Sequence, residues 1–130
     1  TGWNLSAGYV LTGEAAGFKG VTPKTVFNPA AGTWGAFEVV ARVAGLDVGN
    51  EAFADPDGGG AAVSLASLNN ATEVVSYGLG LNWFLSKTIR AGFDYFHNDF
   101  KLAPGNTVPA SGNALSDDEQ VVITRVQVSF

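Results

Sequence analysis

The chain has 130 residues, the size of one ordinary domain, and combines 46% hydrophobic residues and 17 glycines with only 15% charged residues, which is lean in charge for a soluble surface. A net charge of -5 argues against nucleic acid as a partner, because a phosphate backbone demands clustered Lys and Arg, and the absence of cysteine removes disulfide frameworks, thiolate nucleophiles and thiolate metal sites together. No apolar run approaches the roughly 18 residues of a transmembrane helix, so any membrane crossing must be made by strands whose backbone bonds close between neighbours.

Thr1 is followed at once by a strand pattern with no secretory signal before it, as expected of a mature protein or of a piece of a longer one. Residues 3 to 12 place Trp3, Leu5, Ala7, Tyr9 and Leu11 on one face and Asn4, Ser6, Gly8, Val10 and Thr12 on the other. Residues 36 to 47 set Phe37, Val39, Ala41 and Val43 against Glu38, Val40, Arg42 and Ala44. From about Val74 to Leu85 the apolar phase is Val75, Tyr77, Leu79, Leu81, Trp83 and Leu85, and the other phase is Ser76, Gly78, Gly80 and Asn82. After a tight turn at Ser86 and Lys87, a fourth strand shows Ile89, Ala91, Phe93 and Tyr95 against Arg90, Gly92, Asp94 and Phe96. The fifth stretch carries Val122, Thr124, Val126, Val128 and Phe130 opposite Val121, Ile123, Arg125, Gln127 and Ser129.

A two-residue period sends successive side chains to opposite faces, and strands of about ten residues have the length of membrane-spanning barrel strands. Ten steps from Val75 to Leu85, at roughly 3.4 Å each and tilted by about 40°, give an apolar band near ~25 Å tall, the height of such barrels. The outward phase turns polar at Glu73 on one strand of this hairpin and at His97 and Asp99 on the other, as if both left a bilayer at one height.

The connections 13 to 35, 48 to 72 and 101 to 118 are rich in Gly, Pro, Asn and Asp and far longer than a hairpin loop. With a periplasmic C-terminus, the Ser86 turn is periplasmic and 48 to 72 and 101 to 118 are extracellular. The same parity makes 13 to 35 periplasmic; its length there implies an extra short strand or a plug-like segment. No linker divides the chain, so 1 to 130 reads as part of a single domain.

All three arginines, Arg42, Arg90 and Arg125, fall on the polar phase of predicted strands, and the four lysines, Lys19, Lys24, Lys87 and Lys101, fall in turns or connections. A guanidinium on the lipid face near the midplane costs about 2 to 4 kcal/mol, so in a bilayer these arginines face inward. Glu38, Asp94, Asn82 and Gln127 share that phase and complete a candidate pore lining that water can wet and ions can feel. The competing reading is that these charges pair with one another and brace the wall. Trp3, Tyr9, Phe37, Trp83, Phe93 and Tyr95 lie on the outward phase and are candidates for an aromatic girdle at the headgroup boundary. Alternation alone also fits a soluble β-sandwich with the same side chains in its core.

Asp55-Pro56-Asp57-Gly58-Gly59-Gly60 has carboxylates two apart, as calcium loops do, but lacks their further oxygens and closing glutamate, so a surface turn is the favoured reading. Asp117-Asp118-Glu119 reads as a solvated rim, and a single His97 makes a poor metal or catalytic case. Neither a Gly-x-Ser-x-Gly elbow nor a P-loop occurs, and no cofactor or enzyme activity is implied.

Four segments in order carry a family resemblance: Gly2-Trp3 leading to Tyr9-Val10-Leu11-Thr12-Gly13-Glu14; Gly35-Ala36-Phe37-Glu38-Val39-Val40-Ala41-Arg42 with Gly45-Leu46-Asp47; Gly78-Leu79-Gly80-Leu81-Asn82-Trp83-Phe84-Leu85; and Thr124-Arg125-Val126-Gln127-Val128-Ser129-Phe130. Together they resemble the C-terminal portion of the phosphate-selective porin O and P family. The resemblance implies an all-β, antiparallel transmembrane barrel of roughly sixteen strands, of which these are about the last five, in homotrimers in a Gram-negative outer membrane. It implies passive diffusion of small, anion-leaning solutes, with lipid and the outer-membrane assembly machinery as partners. The net acidity of the chain gives no support for phosphate specificity. An open barrel edge must be paired during assembly, and Val126, Val128 and Phe130 fit the terminal aromatic signal of outer-membrane proteins. The alternatives are a structural or adhesive outer-membrane barrel that conducts little, and the soluble binding sandwich.

Overall fold

Strands that alternate apolar and polar residues bury one face only, and antiparallel neighbours pair in the register that keeps like faces together. The computed structural model describes residues 1–17, 20–49, 71–102 and 117–130. They form one five-stranded antiparallel sheet in chain order: β1 (Gly2–Val10), β2 (Ala36–Asp47), β3 (Ala71–Phe84), β4 (Ile89–Leu102) and β5 (Asp118–Val128). Every neighbour in space is a neighbour in sequence, as in an up-and-down barrel wall.

The strands run close to the predicted ranges, with β2 bounded as expected and β3 and β4 reaching further from their common turn. Lys101 consequently belongs to β4 rather than to a connection, and its ammonium lies 3.5 Å from Glu73, its partner in the register. At the other limit, β5 stops at Val128, with Ser129 N–H still donating to Thr88 O at 2.9 Å and Phe130 fully exposed beyond the strand.

Register collects the apolar phases on one face. Rows of facing residues read Leu5–Val43–Tyr77–His97–Gln120, Ala7–Ala41–Leu79–Tyr95–Val122 and Tyr9–Val39–Leu81–Phe93–Thr124. In this single sheet Leu79, Leu81 and Phe93 keep 58%, 36% and 49% of their surface exposed, so the sandwich alternative, which needs them in a two-layer core, is not the fold of the described residues. The buried apolar cluster is small and lies on the opposite face at one end: Val10, Ala36, Phe84 and Val21.

The β1–β2 connection, the 85–88 turn and the C-terminal end of β5 share that end of the sheet, hereafter the turn end, and 48–70 and 103–117 leave from the other, the loop end. In the turn, Ser86 Oγ accepts from the N–H groups of Thr88 and Ile89 at 3.2 and 3.1 Å, a local side-chain bond that favours turns over continued strand. The described part of 13–35 holds no strand of its own. Thr12, Glu14 and Lys24 knit its base: the Thr12 hydroxyl donates to the Glu14 carboxylate, which accepts from Lys24 N–H at 3.4 Å, and Lys24 Nζ donates to Gly13 O at 3.0 Å.

Further on, Asn28 Oδ1 caps a single 3-10 turn, Pro29–Ala31, and Gly32 ends it in the left-handed region at φ 71°. Gly35, also at positive φ, passes so close to Phe84 O that any Cβ would collide with it. This approach presses the segment over the sheet rim, with Val21 against the inner-face Phe84 and Val10 and Phe27 N–H donating to Leu85 O at 2.8 Å. Covering Val21 is worth about 1.5 to 3 kcal/mol, which fastens this end of the wall.

Candidate functional site

Even-numbered positions of β1 to β4 and odd-numbered positions of β5 share the second face. All seven predicted lining residues, Glu38, Arg42, Asn82, Arg90, Asp94, Arg125 and Gln127, lie on it. The structure brings them together in cross-strand pairs, charge against amide. Arg42 Nε donates to Asn4 Oδ1 at 3.1 Å, Asn82 Nδ2 donates to Glu38 Oε2 at 2.9 Å, and an Arg90 guanidinium N–H donates to Gln127 Oε1 at 2.8 Å. Asn98 repeats the arrangement toward the loop end, donating to Glu119 Oε2 at 3.1 Å.

Among the described residues these charges form no ion pair with one another; the Lys101–Glu73 ion pair at 3.5 Å and the His97 Nε2–Asp99 Oδ1 contact at 3.1 Å, an ion pair only when the imidazole is protonated, sit on the apolar face at its loop-end rim. Mutual charge pairing, the bracing reading of the sequence, is therefore not what holds this wall. Arg125 and Asp94 make no side-chain hydrogen bond among the described residues.

Glycines make room for the larger groups. Gly80 lies under the Asp94 carboxylate, Gly78 under the Phe96 ring at 2.7 Å from where a Cβ would stand, and Gly92 beside Asn82 Oδ1 at 3.4 Å. The same face also carries Val40, Phe96, Val121 and Ile123, so it is mixed rather than uniformly polar. Arg90 lies near the turn end, its guanidinium 5.7 Å from the Phe84 ring centre, beside the rim that Gly20 and Val21 help to line.

The girdle candidates separate by height. At the turn end Phe37 stacks on Trp83, centres 5.7 Å apart and 9° from parallel, with Tyr9 one row above. Two aromatic residues off the strands join them: Phe27 meets Trp83 edge-on at 5.1 Å and Trp34 at 5.7 Å, and Trp83 Nε1 donates to Trp34 O at 2.6 Å. Sequence reasoning missed Phe27 and Trp34 because neither belongs to an alternating stretch; their signal is two large aromatics flanking Pro29 in a Gly- and Pro-rich connection. Trp3 and Tyr95 stand at the loop-end limit of the band on their strands, Trp3 lying over Gly45, whereas Phe93 sits midway along β4.

The loop-end limit of the band is not level across the strands. Glu73 is opposite Lys101 while His97 is opposite Tyr77, so polarity begins two rows apart on the two strands, not at equal distance from the turn as the sequence suggested. The limit lies in one row on β1, β2 and β3 (Trp3, Gly45, Val75) and in another, four residues nearer the turn end, on β4 and β5 (Tyr95, Val122), a single step between β3 and β4.

Among the described residues there is no helix long and apolar enough to cross a membrane and no group of three or more His, Cys, Asp or Glu poised for a metal ion; Asp55 and Asp57 lie outside them. A family model described as phosphate-selective porin O and P matches residues 1–130. No curated protein and no solved structure matches the chain.

Proposed function

Because the chain belongs to the phosphate-selective porin O and P family, an outer-membrane family of channels, we propose that it forms part of the wall of a water-filled pore through which small, ionic solutes diffuse passively. The observation that carries this reading is the division of the sheet. One face is an exposed apolar band of bilayer height, and the other gathers every arginine with Glu38, Asp94, Asn82 and Gln127. Lipid contact on the first face and water on the second satisfy both at once. Phe37, Trp83, Phe27 and Trp34 then mark the periplasmic headgroup boundary, and Trp3 and Tyr95 the outer one.

The outer edges of β1 and β5 pair with no strand among the described residues. Five strands cannot close a barrel, since eight is about the minimum, so further strands complete it, and the homotrimer implied by the family is our proposal for its assembly. Val126, Val128 and Phe130 at the β5 edge are the proposed docking signal for the assembly machinery. Deleting Phe130 lowers the yield of assembled oligomer and leaves the conductance of what assembles unchanged; normal yield removes that role.

The wall described here holds balanced charge, Arg42, Arg90 and Arg125 against Glu38, Asp94 and Glu119, and this supports general or mildly anion-leaning passage over phosphate specificity. Single-channel recording of the purified full-length protein tests the reading. Stable ohmic steps support a porin, and silent insertion supports a structural barrel instead.

A further inference from the structure

We infer that the amides Asn4, Asn82 and Gln127 are positioning residues that set the ion selectivity of the pore, by fixing Arg42, Glu38 and Arg90 against the wall without cancelling their charges. The inference rests on the porin reading above and gives the amides a specific role within that wall.

A carboxylate in the place of Asn4 or Gln127 would turn each arginine contact into an ion pair whose field fades within a few ångströms, whereas an amide oxygen orients the guanidinium and leaves its full charge facing the water. The distances of 3.1, 2.9 and 2.8 Å are those of good hydrogen bonds, and each joins adjacent strands. The same sheet uses acid–base pairs on its outward rim, at Lys101–Glu73 and His97–Asp99. The choice of partner thus follows the face and not the supply of acids.

Restraint matters because opposite charges are near. Asp94 lies two strands from Arg42, about 10 Å across the sheet from backbone to backbone, and between them the Asp94 carboxylate already reaches over Gly80, beside the Phe96 ring over Gly78. Freed from Asn4, the long Arg42 side chain can lean toward Asp94 and the two charges then cancel; held by Asn4, they act separately on a passing ion. Asn82 does the converse for Glu38, holding a negative charge at a fixed place.

Reversal potentials of the full-length protein in planar bilayers under a KCl gradient test this. Asn4→Leu and Gln127→Leu add no charge, yet each lowers the anion-to-cation permeability ratio by about twofold, and Asn82→Leu moves it the other way. On an Arg42→Ala background Asn4→Leu has no further effect, and likewise Gln127→Leu on Arg90→Ala. Asn4→Ala replaces Asn4→Leu if the latter does not insert. Unchanged ratios in all three single variants, or an Asn4 effect that persists without Arg42, overturn the inference while leaving a conducting porin; a wild-type protein that does not conduct overturns the porin reading itself, and the inference with it.

Discussion

On the outward face at the loop end, Lys101 is tied to Glu73 and His97 to Asp99, acid against base, while on the opposite face Arg42, Glu38 and Arg90 are each tied to an amide. The outward charges border the apolar band, where an unpaired charge is costly and neutralisation lowers the cost of standing next to hydrocarbon. In the proposed pore the inner charges would stand in a wetted groove, where solvation removes the need for a counter-charge and a neutral hydrogen-bond partner suffices to order the side chain. On the proposed reading, what each face meets decides which partner its charges take.

The largest expected effect comes from moving a charge across that divide. Leu79→Arg puts a guanidinium in the middle of the apolar band and costs about 2 to 4 kcal/mol of folding stability in a bilayer, whereas Ser76→Arg on the inner face costs less than about 1 kcal/mol. Urea titration of the lipid-inserted protein measures both, and equal costs would erase the distinction between the faces. Next, Trp83→Ala removes the stack on Phe37, the edge contact with Phe27 and the bond to Trp34 O, for a loss of about 3 kcal/mol. A loss under about 1 kcal/mol in the same titration would show that the turn-end cluster is incidental.

A smaller and more local contrast concerns ions. Arg42→Ala lowers the anion-to-cation permeability ratio of the conducting barrel, and Lys101→Ala, ion-paired and on the outer face, leaves it unchanged; reversal potentials that move equally for both would place Lys101 in the ion path. The smallest effect is at the rim segment outside the band. The Thr12 hydroxyl holds the Glu14 carboxyl below its ordinary value of 4.5, with the Lys24 N–H and ammonium adding to it. A depressed carboxylate contributes order that is complete above its ordinary value and lost as pH falls through the lowered one. Proteolysis within 13–35 therefore rises slightly on acidification, and Glu14→Gln flattens that dependence. An unchanged pH profile in the variant would remove Glu14 from the fastening.

Five strands, their faces and the one face shared by every arginine were legible because a period of two is written in each strand separately and antiparallel neighbours leave it intact. Partner choice was not legible. Nothing along the chain joins Arg42 to Asn4, 38 residues earlier, or Glu38 to Asn82, 44 residues later; those pairs exist only once register is set. The same holds for the step in the limit of the band, since the offset of His97 from Glu73 is a property of β3 against β4. Phe27, Trp34 and Val21 escaped notice for another reason: a connection without periodicity gives no sign of which side chains will fold over a rim, and their placement follows from Gly35 passing close to Phe84 O.

The chain has no cysteine, so single cysteines at Ser76, Tyr77, Leu79, Leu81 and Asn82 can be read one at a time in the membrane-inserted protein with a charged, water-borne thiol reagent. Fast labelling at 76 and 82 with protection at 77, 79 and 81 is the predicted result. Equal labelling along the strand, or protection of the even positions alone, would contradict it.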